Sequence, residues 1–211
     1  MHLILQLILM GIIAYLLGSL PTAVIVSRYF YKRDVRDYGS GNAGATNTLR
    51  VLGPKAALPV LFFDILKGFA AVKLHLFLNS SVLEPEAFMI LKLALGYMAI
   101  IGHLFPVFAG FRGGKGVATL MGVIIAIHIP AALLVLGVFV ITLVLTRLVS
   151  VSSMVAAMSF PVFMAFIYVR GEIPAILIAV LFPLTLIYTH RSNIRKLFEG
   201  TEDRLSFGKK D

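Results

Sequence analysis

The chain has 211 residues, of which 59% are hydrophobic and 14% charged, with a formal net charge of +9. Together with a mean hydropathy of +0.96, this points to a polytopic membrane protein and away from a soluble domain. There is no cysteine, which excludes disulfides, thiolate metal sites and a cysteine acyl-enzyme.

Apolar runs cover roughly 3–27, 56–78, 87–107, 117–129, 131–146, 153–169 and 173–189. They are read as seven membrane helices of a single domain over 1–211. No lysine or arginine precedes the first run and no small-residue cleavage site follows it, so it is read as a retained first span. Pro130 is the one sharp break between the fourth and fifth runs. Orientation follows from lysine and arginine. One side collects Arg28, Lys32, Arg33, Arg36, Arg50 and Lys55, then Arg112 and Lys115, then Arg147. The tail adds Arg191, Arg195, Lys196, Arg204, Lys209 and Lys210, whereas the other side holds Glu84, Glu86 and Glu172 with only Lys73 and Arg170 nearby. Seven spans with the N-terminus outside and the C-terminus in the cytoplasm satisfy this asymmetry. A single span over 117–146 would put the basic tail outside. The expected fold is an all-α integral membrane protein with short glycine-rich cytoplasmic loops.

The first polar stretch on the basic side runs from Gly39 through Ser40, Gly41, Asn42, Thr46 and Asn47 to Arg50. Gly39 and Gly41 permit tight turns, and Ser40 suits a helix N-cap. A helix from about Asn42 sets Asn42, Thr46 and Arg50 on one face, and Gly53-Pro54 stops it. A helix N-terminus with hydroxyls and an arginine on the same face suits a phosphate.

In the second helix Asp64 and Lys67 stand three residues apart, about 15 Å beyond Pro54 at 1.5 Å per residue. Charges at that depth pair, so they are read as an ion pair that fixes packing. His103, ahead of Pro106, is read as structural. The next loop, Gly110-Phe111-Arg112-Gly113-Gly114-Lys115-Gly116, offers amides and a lysine to an anion. It is not a nucleotide P-loop, because Gly116 stands where a Ser or Thr would bind magnesium and no strand precedes it. The third polar stretch is His190-Arg191-Ser192-Asn193, with His190 and Asn193 on one face. The histidines are scattered, no His-Glu-x-x-His pattern occurs and no metal is expected. Nucleic acid is excluded as a partner, since no folded basic module exists; the basic rim attracts anionic membrane lipids by about 1 kcal/mol per residue.

Together these segments resemble the bacterial acyl-phosphate:glycerol-3-phosphate acyltransferases, integral membrane enzymes of phospholipid synthesis. The resemblance includes Gly18-Ser19-Leu20-Pro21, Gly39 to Arg50, Phe63-Asp64-Ile65-Leu66-Lys67-Gly68 and Gly102-His103-Leu104-Phe105-Pro106-Val107-Phe108. It continues through Gly113-Gly114-Lys115-Gly116-Val117-Ala118-Thr119 and His190-Arg191-Ser192-Asn193-Ile194. It implies acyl transfer from acyl phosphate to the 1-hydroxyl of sn-glycerol 3-phosphate, giving 1-acylglycerol 3-phosphate (lysophosphatidic acid) and phosphate. It also implies seven spans in the bacterial cytoplasmic (inner) membrane, with the site on the cytoplasmic face. Carried over by motif, Ser40, Arg50 and Lys115 hold substrate phosphate, and the Gly113–Gly114 backbone cradles the acyl-phosphate head. Asn42, Thr46 and Asn47 shape the pocket, while His190 and Asn193 orient glycerol 3-phosphate. The catalytic set is then His190, Asn193, Lys115 and Arg50.

An acyl phosphate is already activated, so neither an enzyme nucleophile nor a cofactor is required. The His-x4-Asp pair of the other large glycerophosphate acyltransferase group is missing: five residues after each histidine stand Leu7, Ser80, Phe108, Leu133 and Arg195. Either the substrate's own phosphate or His190 then takes the hydroxyl proton. The rival function is a transporter of a phosphorylated metabolite. That reading wants polar residues through the membrane, and here the intramembrane polar set is little more than Asp64 and Lys67.

Overall fold

Where the chain has apolar runs it forms helices, and no strand occurs among the described residues. The computed structural model describes residues 3–79, 83–168 and 173–205; Arg170, Glu172, Lys209 and Lys210, used above for orientation, lie outside them, as does Val169 of the sixth run. Two compact units divide the chain, Met1–Ile127 and His128–Asp211.

In the first unit the opening run is two helices and not one: α1 (Leu3–Gly18) and α2 (Thr22–Tyr31). The break falls at Ser19-Leu20-Pro21, where proline cannot donate to a helical carbonyl. The short α3 (Ala45–Leu52) leads through Gly53, at φ +82°, into α4 (Pro54–Lys73), which opens on a proline at its first position. Then come α5 (Pro85–Leu104) and α6 (Val117–Ile127). The second unit holds α7 (Ile129–Thr146), α8 (Val149–Phe163) with a π-helical turn after it, α9 (Ile173–Thr189) and α10 (Arg191–Phe198). The boundary expected at Pro130 falls at His128, whose Nδ1 accepts the Ala131 amide at 3.2 Å as an N-cap. Pro130 itself sits in the first turn of α7, where a missing amide costs nothing.

Each of the seven expected runs contains helix. Four helical stretches are long and apolar enough to cross a membrane: Leu3–Tyr31, Pro85–Ala109, Ile129–Thr146 and Val149–Phe166. The pair Ile173–Thr189 and Arg191–Phe198, bent by 57°, makes a fifth when counted as one broken span. Of the other two, α4 carries Lys55, Asp64, Lys67 and Lys73, and α6 has only 11 residues.

Helices of the first unit pack backbone to backbone through glycine. A methyl group at Gly18 would overlap the Ala99 carbonyl, and one at Gly102 the Tyr15 carbonyl, so α1 and α5 touch at two glycines. Between α4 and α6, Gly68 meets the Thr119 carbonyl and Gly122 meets that of Ile65. Such small-residue contacts replace the hydrophobic drive that lipid removes between helices. In the second unit Phe160 of α8 and Phe182 of α9, both fully buried, meet edge to face at 5.8 Å. Gly122→Ala should therefore cost about 2 kcal/mol and lower the thermal midpoint in detergent by roughly 4–8 °C. Gly137→Ala in α7, with nothing within 4 Å, should leave the midpoint unchanged or raise it; equal midpoints for the two variants would contradict this packing.

Candidate active site

The glycine loop of the first unit is built around one side chain. Asn47, 2% exposed, shares its amide protons among the carbonyls of Val35 at 2.9 Å, Tyr38 at 3.1 Å and Asn42 at 3.0 Å. Its Oδ1 accepts the Ser40 amide at 2.9 Å. Four backbone groups of a turn with no regular ladder are thus satisfied by one residue. Gly39 (φ +61°) and Gly41 (φ +70°) occupy the left-handed region, and a side chain at Gly39 would overlap Asn47 Oδ1. Below the loop, Val35 and Ala43 are buried with Ala23, Val24 and Val60.

This construction changes the expected helix start. Gly44 is extended (φ −138°, ψ 169°) and α3 begins at Ala45. Asn42 is therefore a loop residue and not part of the α3 face, and Ser40 is not the N-cap, since Gly44 holds that position. Thr46 and Arg50 do lie one helical turn apart on α3, both exposed, and Ser40 is exposed on the loop.

Arg36 fastens this loop to the second one. It is 9% exposed and donates from Nη1 to the carbonyls of Ala109 at 2.8 Å and Arg112 at 3.3 Å. Its other face grips Asp34, with Nη2 at 2.8 Å from Oδ2. The hydrogen-bonded Arg36 guanidinium holds the Asp34 carboxyl well below the usual carboxylate range, against the opposing effect of burial. A depressed folded value gives a contribution complete above the ordinary 3.8 and lost only as pH falls through the folded one. The clamp is therefore fully charged throughout the neutral range.

The second loop packs under the first. Gly114 lies 3.0 Å, measured from the position of a Cβ, from the Ala43 carbonyl oxygen. Its amide donates to the His103 carbonyl at 3.2 Å, so it is committed within the protein and does not face a ligand. What Gly114 contributes is room: a side chain there would overlap His103 Nε2, and one at Gly113 would overlap the His103 carbonyl. The Gly113 amide has no acceptor among the described residues, and Gly116, at φ +86°, turns the chain into α6. The first amides of α6 and Lys115 are the other groups on this loop of a kind suited to an anion. Ser40, Asn42, Thr46, Asn47, Arg50, Gly113, Gly114 and Lys115 thus all fall in two loops and one short helix that Arg36 and the Gly114–Ala43 contact hold together.

Behind these loops lies the expected ion pair. Lys67 Nζ is 2.8 Å from Asp64 Oδ1, with both side chains under 5% exposed. Thr22 Oγ1 donates to the same oxygen at 2.6 Å, and Lys67 also donates to the Leu20 carbonyl at 3.0 Å, at the break between α1 and α2.

The third polar stretch belongs to the second unit. His190, 3% exposed, ends α9, with its ring Nδ1 2.7 Å from the Leu186 carbonyl. A carbonyl only accepts, so the contact is Nδ1–H donating, and in the neutral ring the lone pair is on Nε2. Asn193, on α10, donates from Nδ2 to Glu202 Oε1 at 2.6 Å. Glu202, Arg36 and Asp34 carry no sequence motif that marks them as site residues. Glu202 is one of several carboxylates in the tail, beside Glu199 and Asp203, and its partner nine residues away follows no helical period. No group of His, Cys, Asp and Glu suited to a metal occurs among the described residues.

The profile of the glycerol-3-phosphate acyltransferase family matches residues 8–200. The glycerol-3-phosphate acyltransferase of Chlorobaculum parvum is 42% identical over 222 residues, covering 94% of this chain and 96% of its own. That of Chlorobium chlorochromatii is 40% identical over 225 residues, covering 94% and 96%. Two crystal structures of PlsY (YgiH), an integral membrane glycerol 3-phosphate acyltransferase, are similar to it. The glycerol 3-phosphate form has a TM-score of 0.82 at 35% identity, covering 95% of this chain and 96% of that one. The lysophosphatidic acid form has 0.80 at 34%, covering 95% of each. Matching across nearly its whole length, with its polar motifs gathered in loops suited to phosphate, this chain belongs to the glycerol-3-phosphate acyltransferase family.

Proposed function

We propose that this protein transfers an acyl group from an acyl phosphate to the 1-hydroxyl of sn-glycerol 3-phosphate. The hydroxyl oxygen bonds to the acyl carbon, the acyl–oxygen bond to phosphorus-bearing oxygen breaks, and inorganic phosphate leaves with the hydroxyl proton. The products are 1-acylglycerol 3-phosphate and phosphate. The observation that carries this reading is the joining of two loops suited to anions by Arg36, in a chain of this family. Both substrates are phosphates, so a site of this kind works by positioning and charge neutralisation, with no enzyme nucleophile.

Ser40, Arg50 and Lys115 hold substrate phosphate. The amide of Gly113 and the first turn of α6 receive the acyl-phosphate head, for which Gly114 leaves room. Asn42 and Thr46 line the pocket, and Asn47 acts through the loop it holds. His190 and Asn193 orient glycerol 3-phosphate, with Glu202 fixing Asn193. In a phosphate-release assay on the purified protein with both substrates, Arg50→Ala and Lys115→Ala should each raise KM for a phosphate substrate roughly ten- to hundredfold, the scale of a charge-assisted contact. His190→Gln should keep kcat within about tenfold, because the departing phosphate takes the proton. No phosphate release by the wild type would reject the acyltransferase reading; a collapse of kcat in His190→Gln would make His190 the base.

The whole chain acts as one polytopic domain crossing the bacterial inner membrane seven times, with the N-terminus outside and the glycine loops at the cytoplasmic surface. The clustering of lysine and arginine supports this, as does the ion pair that lets α4 lie among apolar helices despite its charges. Single cysteines at positions 41 and 193 of this cysteine-free chain should resist an impermeant thiol reagent in intact cells and react in inverted vesicles; labelling from outside would reverse the orientation.

A further inference from the structure

His103 sits at the end of α5, 5% exposed, between the buried ion pair and the second loop. Its Nδ1 lies 3.2 Å from Thr119 Oγ1 and 3.6 Å from Asp64 Oδ1. The longer distance is outside hydrogen-bond range, and Asp64 Oδ1 already accepts from Thr22 and Lys67. Thr119 is wholly buried, and among the described residues its hydroxyl has no partner other than this ring. Donation by the hydroxyl is the direction that leaves no buried hydroxyl proton unpaired, and with it the ring proton is on Nε2. That Nε2 faces Gly114 where a side chain would collide with it, next to the Ala43 carbonyl. It has no hydrogen-bond partner among the described residues. A nearly buried N–H aimed at the junction of two anion-binding loops, with no protein acceptor, is a donor kept for a ligand.

We propose that His103 is a further substrate-binding residue of the transfer reaction, its Nε2–H donating to a phosphoryl oxygen of the acyl phosphate held by the second loop. Thr119 acts as a positioning residue by setting the tautomer, and the Asp64–Lys67 pair fixes the ring from behind. Gly114 is then required for a specific reason: any side chain would stand between this N–H and the phosphate.

The assignment rests on the acyltransferase reading above, and the experiment separates the two. Purified full-length protein is assayed with acyl phosphate and glycerol 3-phosphate, with inorganic phosphate as product inhibitor. His103→Ala should raise KM for acyl phosphate and Ki for inorganic phosphate together, roughly ten- to hundredfold, with kcat changed far less. His103→Gln, whose amide nitrogen reaches the place of Nε2, should recover most of that loss, which a merely space-filling role would not require. Should His103→Ala not fold, Thr119→Val carries the test, since it keeps the volume and removes only the proton that sets the tautomer; KM for acyl phosphate should rise severalfold. An active wild type with unchanged KM in the folded variant would overturn the role of His103 alone, as would a rise confined to glycerol 3-phosphate or a His103→Gln no better than Ala. A wild type that releases no phosphate would instead overturn the acyltransferase reading itself.

Discussion

One carboxylate oxygen organises the first unit. Asp64 Oδ1 accepts from Thr22 and Lys67 at 2.6 and 2.8 Å, and Lys67 reaches on to the Leu20 carbonyl where the first span breaks. Moving an ion pair out of water costs several kcal/mol per charge, and the cost is offset only when the remaining donors and acceptors are met. Here part of that need is met by the break itself, which frees a backbone carbonyl, and by a threonine one residue beyond the proline. The broken span and the charged helix are thus two halves of one solution. α4 can carry charges among apolar helices because α1 and α2 are not continuous.

On that frame the loops are held by hydrogen bonds to backbone more than by packing. Asn47 supplies the ladder the glycine turn lacks, and Arg36 spans the gap to the next loop by gripping two of its carbonyls. Glycine-rich backbone close to a phosphate leaves no side chain to bury, so order has to come from a few polar residues of this kind. For the proposed site the consequence is preorganisation: donors fixed before substrate arrives spare binding free energy that ordering the loops would consume. The ring of His103 links the two levels, with the ion pair behind it and the second loop before it.

Much of this was legible in the residues, and what was not has a common cause. The spacing of Asp64 and Lys67 announces their pairing, because a three-residue step on a helix brings side chains together. The apolar runs locate the helices. The break at Ser19 is hidden by apolar neighbours, and the start of α3 at Ala45 is decided by Asn47, a residue that in sequence looks like one more polar position on an exposed helix. His103 reads as structural because nothing local shows that Gly114, eleven residues on, returns to its ring. Arg36 reads as membrane-surface charge until Ala109 and Arg112 are seen beside it. In each case a tertiary partner overrides local propensity, and Glu202 meeting Asn193 is the same event in the second unit.

The most direct measurement is a crystal structure of the full chain grown with a non-hydrolysable acyl phosphonate. The expected result is the phosphonate between the segments 41–44 and 113–116, at the first turn of α6, within hydrogen-bond distance of Lys115 and His103 Nε2. A phosphonate bound elsewhere with both loops empty would contradict it.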